Sequence, residues 1–403
     1  MNKTVVRHNF HYYSGLTLIA FCFSWLSPLL LSFTGSNIME PFLALGLYLV
    51  LKNNIETKKT FYYVFNSNQF KISFFVILIF GLWGILNGEG NLAPVYGDFR
   101  SNLIFSFCFL LFTSDKWELV NKLKFIIFVL SAVTLMDVVT LTYNKFFIVD
   151  KLRVKEAVSI LAPAVLSIYH LRRGRFLLSI LFILLLSFEA ALGFYRNYYL
   201  ITLITGIVCL VTLINNLLST NGKIKIFSVT YLFVILALGS YSLPKIYEYW
   251  MNDESRMIHS LNRSEEFIES GDSEVERIGS FLVVFHKAEA LLIPHGIGWR
   301  NFQKSIEREF KEFHIVSSMD SGFFYIGYHY GVIFLLLVCL FIAYKFKYFN
   351  SMHSIRHWVF PKWIRLIFLM LFFSSFFTQS TMFTVPQSSF IYAMLIGIVL
   401  RPI

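Results

Sequence analysis

The sequence predicts an all-α polytopic membrane protein, and three observations carry that prediction. Hydrophobic residues make up 56% of the 403, with 46 Phe, and only 15% are charged. A soluble domain of that length has too little interior to hide so much apolar surface. Segments of mostly apolar residues recur from one end of the chain to the other, as stacked membrane spans require. The runs are continuous rather than alternating, which argues against a β-barrel.

Twelve spans are predicted, over 15–33, 38–51, 72–86, 102–113, 125–143, 157–171, 176–193, 199–218, 226–243, 322–343, 365–380 and 388–401. Several are shorter than the roughly 20 residues an upright helix needs, so they are expected to borrow flanking polar and aromatic residues. The segment 102–113 is the shortest. No cleavable signal peptide is expected, because the first span follows His8-Asn9-Phe10-His11 without a small-residue cleavage site.

Lysine and arginine placement sets the expected orientation. With a cytoplasmic N-terminus, the cytoplasmic segments hold 20 of the 35 Lys/Arg, among them Lys58, Lys59, Arg172, Arg173 and Arg175. The short outer loops then hold six, namely Arg100, Lys145, Lys151, Arg153, Lys155 and Arg196. Both termini are expected in the cytoplasm. The net charge of +11 does not point to nucleic acid, since the basic residues sit at span ends and form no single patch. Cys22, Cys108, Cys209 and Cys339 all fall inside predicted spans, with neither a disulfide framework nor zinc spacing.

The expected organisation is residues 1–243 with about nine spans, a water-facing loop over 244–321, and residues 322–403 with about three spans. The loop is 78 residues long and holds 9 of the 35 Lys/Arg and 14 of the 24 Asp/Glu. Loops of such length are seldom passive connectors. Ser273-Glu274-Val275-Glu276 reads as a capping box. The helix it opens carries Ile278, Phe281, Leu282 and Phe285 on one stripe. Pro294-His295-Gly296-Ile297-Gly298 reads as a turn. A second amphipathic helix is expected over 302–313, so the loop is predicted to form a small helical cap on the outer membrane surface.

The chemically informative residues lie in this loop or face it. Arg196, in Gly193-Phe194-Tyr195-Arg196-Asn197, is expected at headgroup depth. There a guanidinium can bind a lipid phosphate through charge-assisted hydrogen bonds, or simply snorkel. Arg277 stands on the first turn of the capped helix, an unfavourable end for a cation unless an anion binds there; the alternative is an ion pair with Glu274 or Asp272. Arg153, within the basic outer loop, can guide an anionic substrate or attract anionic headgroups.

Asp320 precedes the span that starts at Gly322. It can take a proton from an attacking hydroxyl or cap the helix. Glu189 and Asp137 are acids inside spans and should face protein or a water-filled cavity. On a continuous helix, Glu189 would share a face with Arg196, seven residues on. Of the scattered histidines, His314 is the base candidate. No histidine pair has metal-ligand spacing, and neither a metal nor a cofactor is expected.

Together these features resemble the O-antigen polymerase and ligase superfamily. The resemblance covers the topology of the whole chain and three local segments. Gly193-Phe194-Tyr195-Arg196 resembles the family's arginine at the outer end of a span. Glu276-Arg277, an amphipathic helix and Pro294-His295-Gly296-Ile297-Gly298 resemble its loop arginine, helix and Gly-x-Gly turn. Asp320-Ser321-Gly322, followed by Gly331, resembles the motif opening the next span, with aspartate-serine where ligases usually carry histidine-asparagine.

The resemblance implies a GT-C-like polymerase/ligase fold in a bacterial inner membrane, with the large loop on the periplasmic or extracellular side. It implies a metal-independent glycosyltransferase acting on polyprenyl-diphosphate-linked oligosaccharides as donor and acceptor. In that reading Arg196 and Arg277, with Arg153, bind the diphosphate and Asp320 serves the acceptor hydroxyl. Membrane lipids and a chain-length regulator are the expected partners. A ligase shares the architecture. A flippase or other transporter fits the number of spans, but such proteins rarely need an outer loop of this size.

Overall fold

The computed structural model describes residues 3–24, 26–27, 39–87, 92–114, 116–147, 157–193, 196–217, 294–298, 322–337, 340, 360–378 and 385–400. Among the described residues the chain is helical, with no strand. The helices are α1 (Lys3–Phe23), α2 (Met39–Asn53), α3 (Ile55–Asn66), α4 (Asn68–Asn87), α5 (Leu92–Thr113) and α6 (Leu119–Phe147). They continue with α7 (Ala157–Arg172), α8 (Phe176–Gly193), α9 (Arg196–Leu217), α10 (Gly322–Tyr330), α11 (Lys362–Thr378) and α12 (Pro386–Leu400). Among the described residues, three helical stretches are long and apolar enough to cross a membrane: Asn68–Asn87, Leu92–Thr113 and Leu119–Tyr143. Shorter apolar helices include Phe176–Ala190 and Ile201–Asn215. The predicted span at 226–243 lies outside the described residues.

Burial sorts the helices by what surrounds them. From Pro386 to Val399, α12 is buried almost without interruption, as befits a helix that is apolar all round. It packs against α5, α7, α1 and α6. Its Phe390 stacks on Phe23 of α1 with ring centroids 3.8 Å apart. Peripheral helices show the opposite pattern. Ile72, Phe75, Ile79, Leu82 and Leu86 of α4 are exposed at spacings of three and four, so they form one outward stripe. Leu177, Leu181, Leu184 and Phe188 do the same on α8, and Leu203, Ile207, Leu210 and Ile214 on α9. Continuous apolar stripes of this size are surfaces for hydrocarbon rather than water, and they mark the chain as membrane-associated.

Where helices approach most closely, side chains are absent. At the crossing of α1 and α2, a Cβ on Gly15 would stand 2.8 Å from the Gly46 carbonyl oxygen. Small residues let backbones touch in this way, which apolar helices in lipid use for packing.

Two boundaries differ from the sequence expectation. The segment between the second and third spans contains α3, opened by Asn54, whose Oδ1 accepts the Thr57 N–H at 2.9 Å. With Lys58 and Lys59 beside exposed Tyr62, Tyr63 and Phe65, α3 is amphipathic rather than uniformly apolar, so hydropathy overlooks it. The short span at 102–113 is the second half of α5, which begins at Leu92 and contains Asp98, Arg100 and Asn102. Arg100 therefore belongs to a helix, not to an outer loop. Its guanidinium pairs with Glu40 of α2 at 2.6 Å.

The connection from α5 to α6 is closed by a buried lysine. Lys122 Nζ donates to the Phe112 carbonyl at 2.9 Å and the Ser114 carbonyl at 2.6 Å. These are carbonyls at the end of α5, where a cation also complements the helix dipole. The Trp117 ring lies 6.0 Å from the same ammonium.

Candidate functional site

The Pro294–Gly298 turn comes from the long polar segment, yet Gly296, Ile297 and Gly298 are buried. The sequence expectation placed this turn in a cap lying on the membrane surface. The structure instead seats it among α4, α5 and α10, where its four N–H groups and the carbonyls of Pro294, His295 and Gly296 all meet hydrogen-bonding partners.

Its N–H groups go to helix carbonyls. His295 donates to the Tyr328 carbonyl and Gly296 to the His329 carbonyl, each at 3.1 Å. Both acceptors lie in the last turn of α10, where carbonyls have no partner within their own helix. The helix is broken just after them by Gly331, at φ +86°. Ile297 donates to the Phe80 carbonyl of α4 at 3.0 Å. Gly298 donates to Asp98 Oδ2 of α5 at 3.1 Å.

The turn's carbonyls are gripped by side chains. Trp83 Nε1 donates to the Pro294 carbonyl at 2.5 Å and Asn87 Nδ2 to the His295 carbonyl at 3.1 Å. His329 Nδ1 lies 2.5 Å from the Gly296 carbonyl oxygen. A carbonyl only accepts, so the proton sits on Nδ1 and fixes the tautomer of this buried ring.

Two glycines make this approach possible. A Cβ on Gly84 would fall 1.9 Å from the Ile297 carbonyl oxygen, inside any permitted contact. A Cβ on Gly296 would fall 2.2 Å from the Gly84 nitrogen, and Gly296 already occupies the left-handed region at φ +79°. Backbone meets backbone, with Ile297 fully buried beside α4.

Asp98 joins three segments. Besides the Gly298 N–H, its Oδ2 accepts the Tyr325 hydroxyl of α10 at 3.0 Å. Asn102, one turn on along α5, donates to the Asp98 backbone carbonyl at 2.8 Å and reaches the Tyr325 hydroxyl at 3.3 Å. Asp98 is 4% exposed and Tyr325 is fully buried. The rings of Tyr325 and His329 lie 4.3 Å apart, so the polar cluster is continuous with the seat of the turn.

The residues singled out from sequence fall differently. Asp320, Arg277, His314 and Arg153 lie outside the described residues, as do the capping box and the amphipathic helix at 302–313. Arg196 is the first residue of α9. Glu189 stands on α8, which ends at Gly193, so the two occupy different helices and share no continuous face.

Asp137 of α6 and Glu189 of α8 are both 0% exposed. The two acids stand near enough for their charges to repel. Both carboxyl oxygens of Glu189 lack a hydrogen-bond partner. The chain thus buries three acids among the described spans, of which Asp98 was not anticipated. Its signal was the pair Asp98 and Asn102 at helical spacing, hidden when the span was started at residue 102.

Compared with protein-family models, characterised proteins and solved structures, the chain gives no match.

Proposed function

We propose that the chain is a polymerase of a bacterial surface polysaccharide, of twelve spans and GT-C-like architecture, working on the outer face of the inner membrane. One observation carries the reading beyond the sequence resemblance. The Pro294–Gly298 turn, from within the long polar segment, and the start of α10, which follows that segment, meet on Asp98. That convergence brings the turn, 17 residues after Arg277, to the helix that opens two residues after Asp320. A loop anchored this way suits a roof over a cavity between helices, rather than a free connector.

The reaction asks for little more than positioning and charge. The growing glycan is carried on a polyprenyl diphosphate. The bond between its anomeric carbon and the diphosphate oxygen breaks, and the diphosphate leaves with the electron pair. The hydroxyl oxygen of an incoming lipid-linked repeat unit forms the new glycosidic bond, and its proton passes to Asp320. Arg196 and Arg277 stabilise the departing diphosphate, which matters most where water is scarce. Arg153 draws the anionic carrier toward the site.

The test is a gel of surface and lipid-linked polysaccharide from a deletion strain, complemented by wild type or Arg277→Ala. The reading expects a ladder with wild type and single-repeat product with the variant, at equal protein level. Long polymer stranded on its carrier in the deletion strain would identify a ligase instead. Repeat units held on the cytoplasmic leaflet would identify a flippase and overturn the site assignment.

A further inference from the structure

A single carboxyl oxygen holds segments that are far apart in sequence. Asp98 Oδ2 accepts the Gly298 N–H from the turn and the Tyr325 hydroxyl from α10. The donors lie 200 and 227 residues away from it along the chain. Gly298 presents its N–H at φ +138°, a conformation that side chains on L residues resist. Asn102 steadies the arrangement from below, with one amide nitrogen reaching both the Asp98 carbonyl and the Tyr325 oxygen. All four groups are buried, so each bond works without competition from water.

We infer that Asp98 is the hub of a latch that ties the Pro294–Gly298 turn and the start of α10 to α5, and so holds the two flanks of residues 299–321, among which Asp320 falls. The positioning role rests on the polymerase reading; the latch itself does not. The Tyr325 hydroxyl fixes the carboxylate in the orientation that receives the Gly298 N–H, so losing that hydroxyl loosens the turn's hold on α5. The turn has additional holds on α4, through Trp83, Asn87 and the Phe80 carbonyl, and on the last turn of α10, through the Tyr328 and His329 carbonyls and the His329 ring; the Gly298–Asp98 bond adds a hold on α5. Asp98 is accordingly a positioning residue, acting on the site through the turn and the start of α10.

The test uses full-length protein in lipid nanodiscs and reads hydrogen exchange over 294–298, with 386–400 as internal reference. Tyr325→Phe removes one hydroxyl and keeps the ring. Its exchange over the turn should rise about tenfold, the value of one net hydrogen bond, while the reference segment stays unchanged. Asp98→Asn keeps an oxygen that can accept both bonds and should retain near wild-type protection.

In the complemented deletion strain, at equal protein level, Tyr325→Phe should shorten the polymer and Asp98→Asn should restore its length. Unchanged exchange in Tyr325→Phe would overturn the latch. Faster exchange with a wild-type ladder would overturn the positioning role. If the wild-type gene does not control polymer length at all, the polymerase reading fails while the exchange result still decides the latch.

Discussion

Asp98 and Glu189 are both buried acids on helices of an apolar bundle, and they are treated in opposite ways. Asp98 receives an N–H and a hydroxyl on one oxygen and has Asn102 beside it. Glu189 has no hydrogen-bond partner on either oxygen and an acidic neighbour in Asp137. A buried polar group is tolerable when its bonds are made and costly when they are not. The first arrangement therefore holds the structure together. The second lacks that compensation, so its burial counts against stability.

The largest effect should come from breaking the satisfied acid. Asp98→Ala removes the acceptor of both the Gly298 N–H and the Tyr325 hydroxyl. The expected loss is about 3–5 kcal/mol, by analogy with removing one member of a buried polar pair. Thermal unfolding of the nanodisc-embedded protein, followed by circular dichroism, should show a clearly lower midpoint. A midpoint within a degree of wild type would mean that the cluster contributes little.

The opposite sign is expected at Glu189. Glu189→Met keeps most of the volume and removes a polar group that has nothing to bond, along with its repulsion toward Asp137. The variant should be more stable by about 1–2 kcal/mol. If the acid serves polymerisation, the same variant should lose polymer while gaining stability, the trade expected when a strained group is functional. Destabilisation on this substitution would show that the carboxyl has a structural use.

These contrasts also show what the sequence could reveal. Apolar runs such as 72–86 and 176–193 announce their helices directly, because a span in lipid has to be apolar along most of its length. The Pro294–Gly298 turn was legible from its proline and glycines, since those residues act locally. Its burial was not legible, because the seat is made by Gly84, Phe80 and Trp83 of α4 and by Asp98 of α5, some 200 residues upstream. Asp98 falls outside the predicted span at 102–113, as does Arg100, because their charges depress hydropathy just where α5 needs nearly three more turns to cross a membrane. Helix α3 escaped for the same reason, its lysines and tyrosines outweighing an amphipathic pattern.

Arg100 provides the finest test of whether burial, rather than charge, separates these acids. It stands two residues after Asp98 on α5 and pairs with Glu40 of α2 at 2.6 Å, but the side chains are 28% and 41% exposed. Water or headgroups can replace either partner, so the gain from pairing is largely offset by desolvation and ordering. Arg100→Gln should therefore cost no more than about 1 kcal/mol, and the loss should shrink as salt is raised. The Tyr96 ring, 5.8 Å from the guanidinium, adds only a modest cation–π attraction at an exposed site. A loss approaching that of Asp98→Ala, insensitive to salt, would place this pair out of reach of solvent. The buried polar region of α5 would then extend from the latch to the edge of α2.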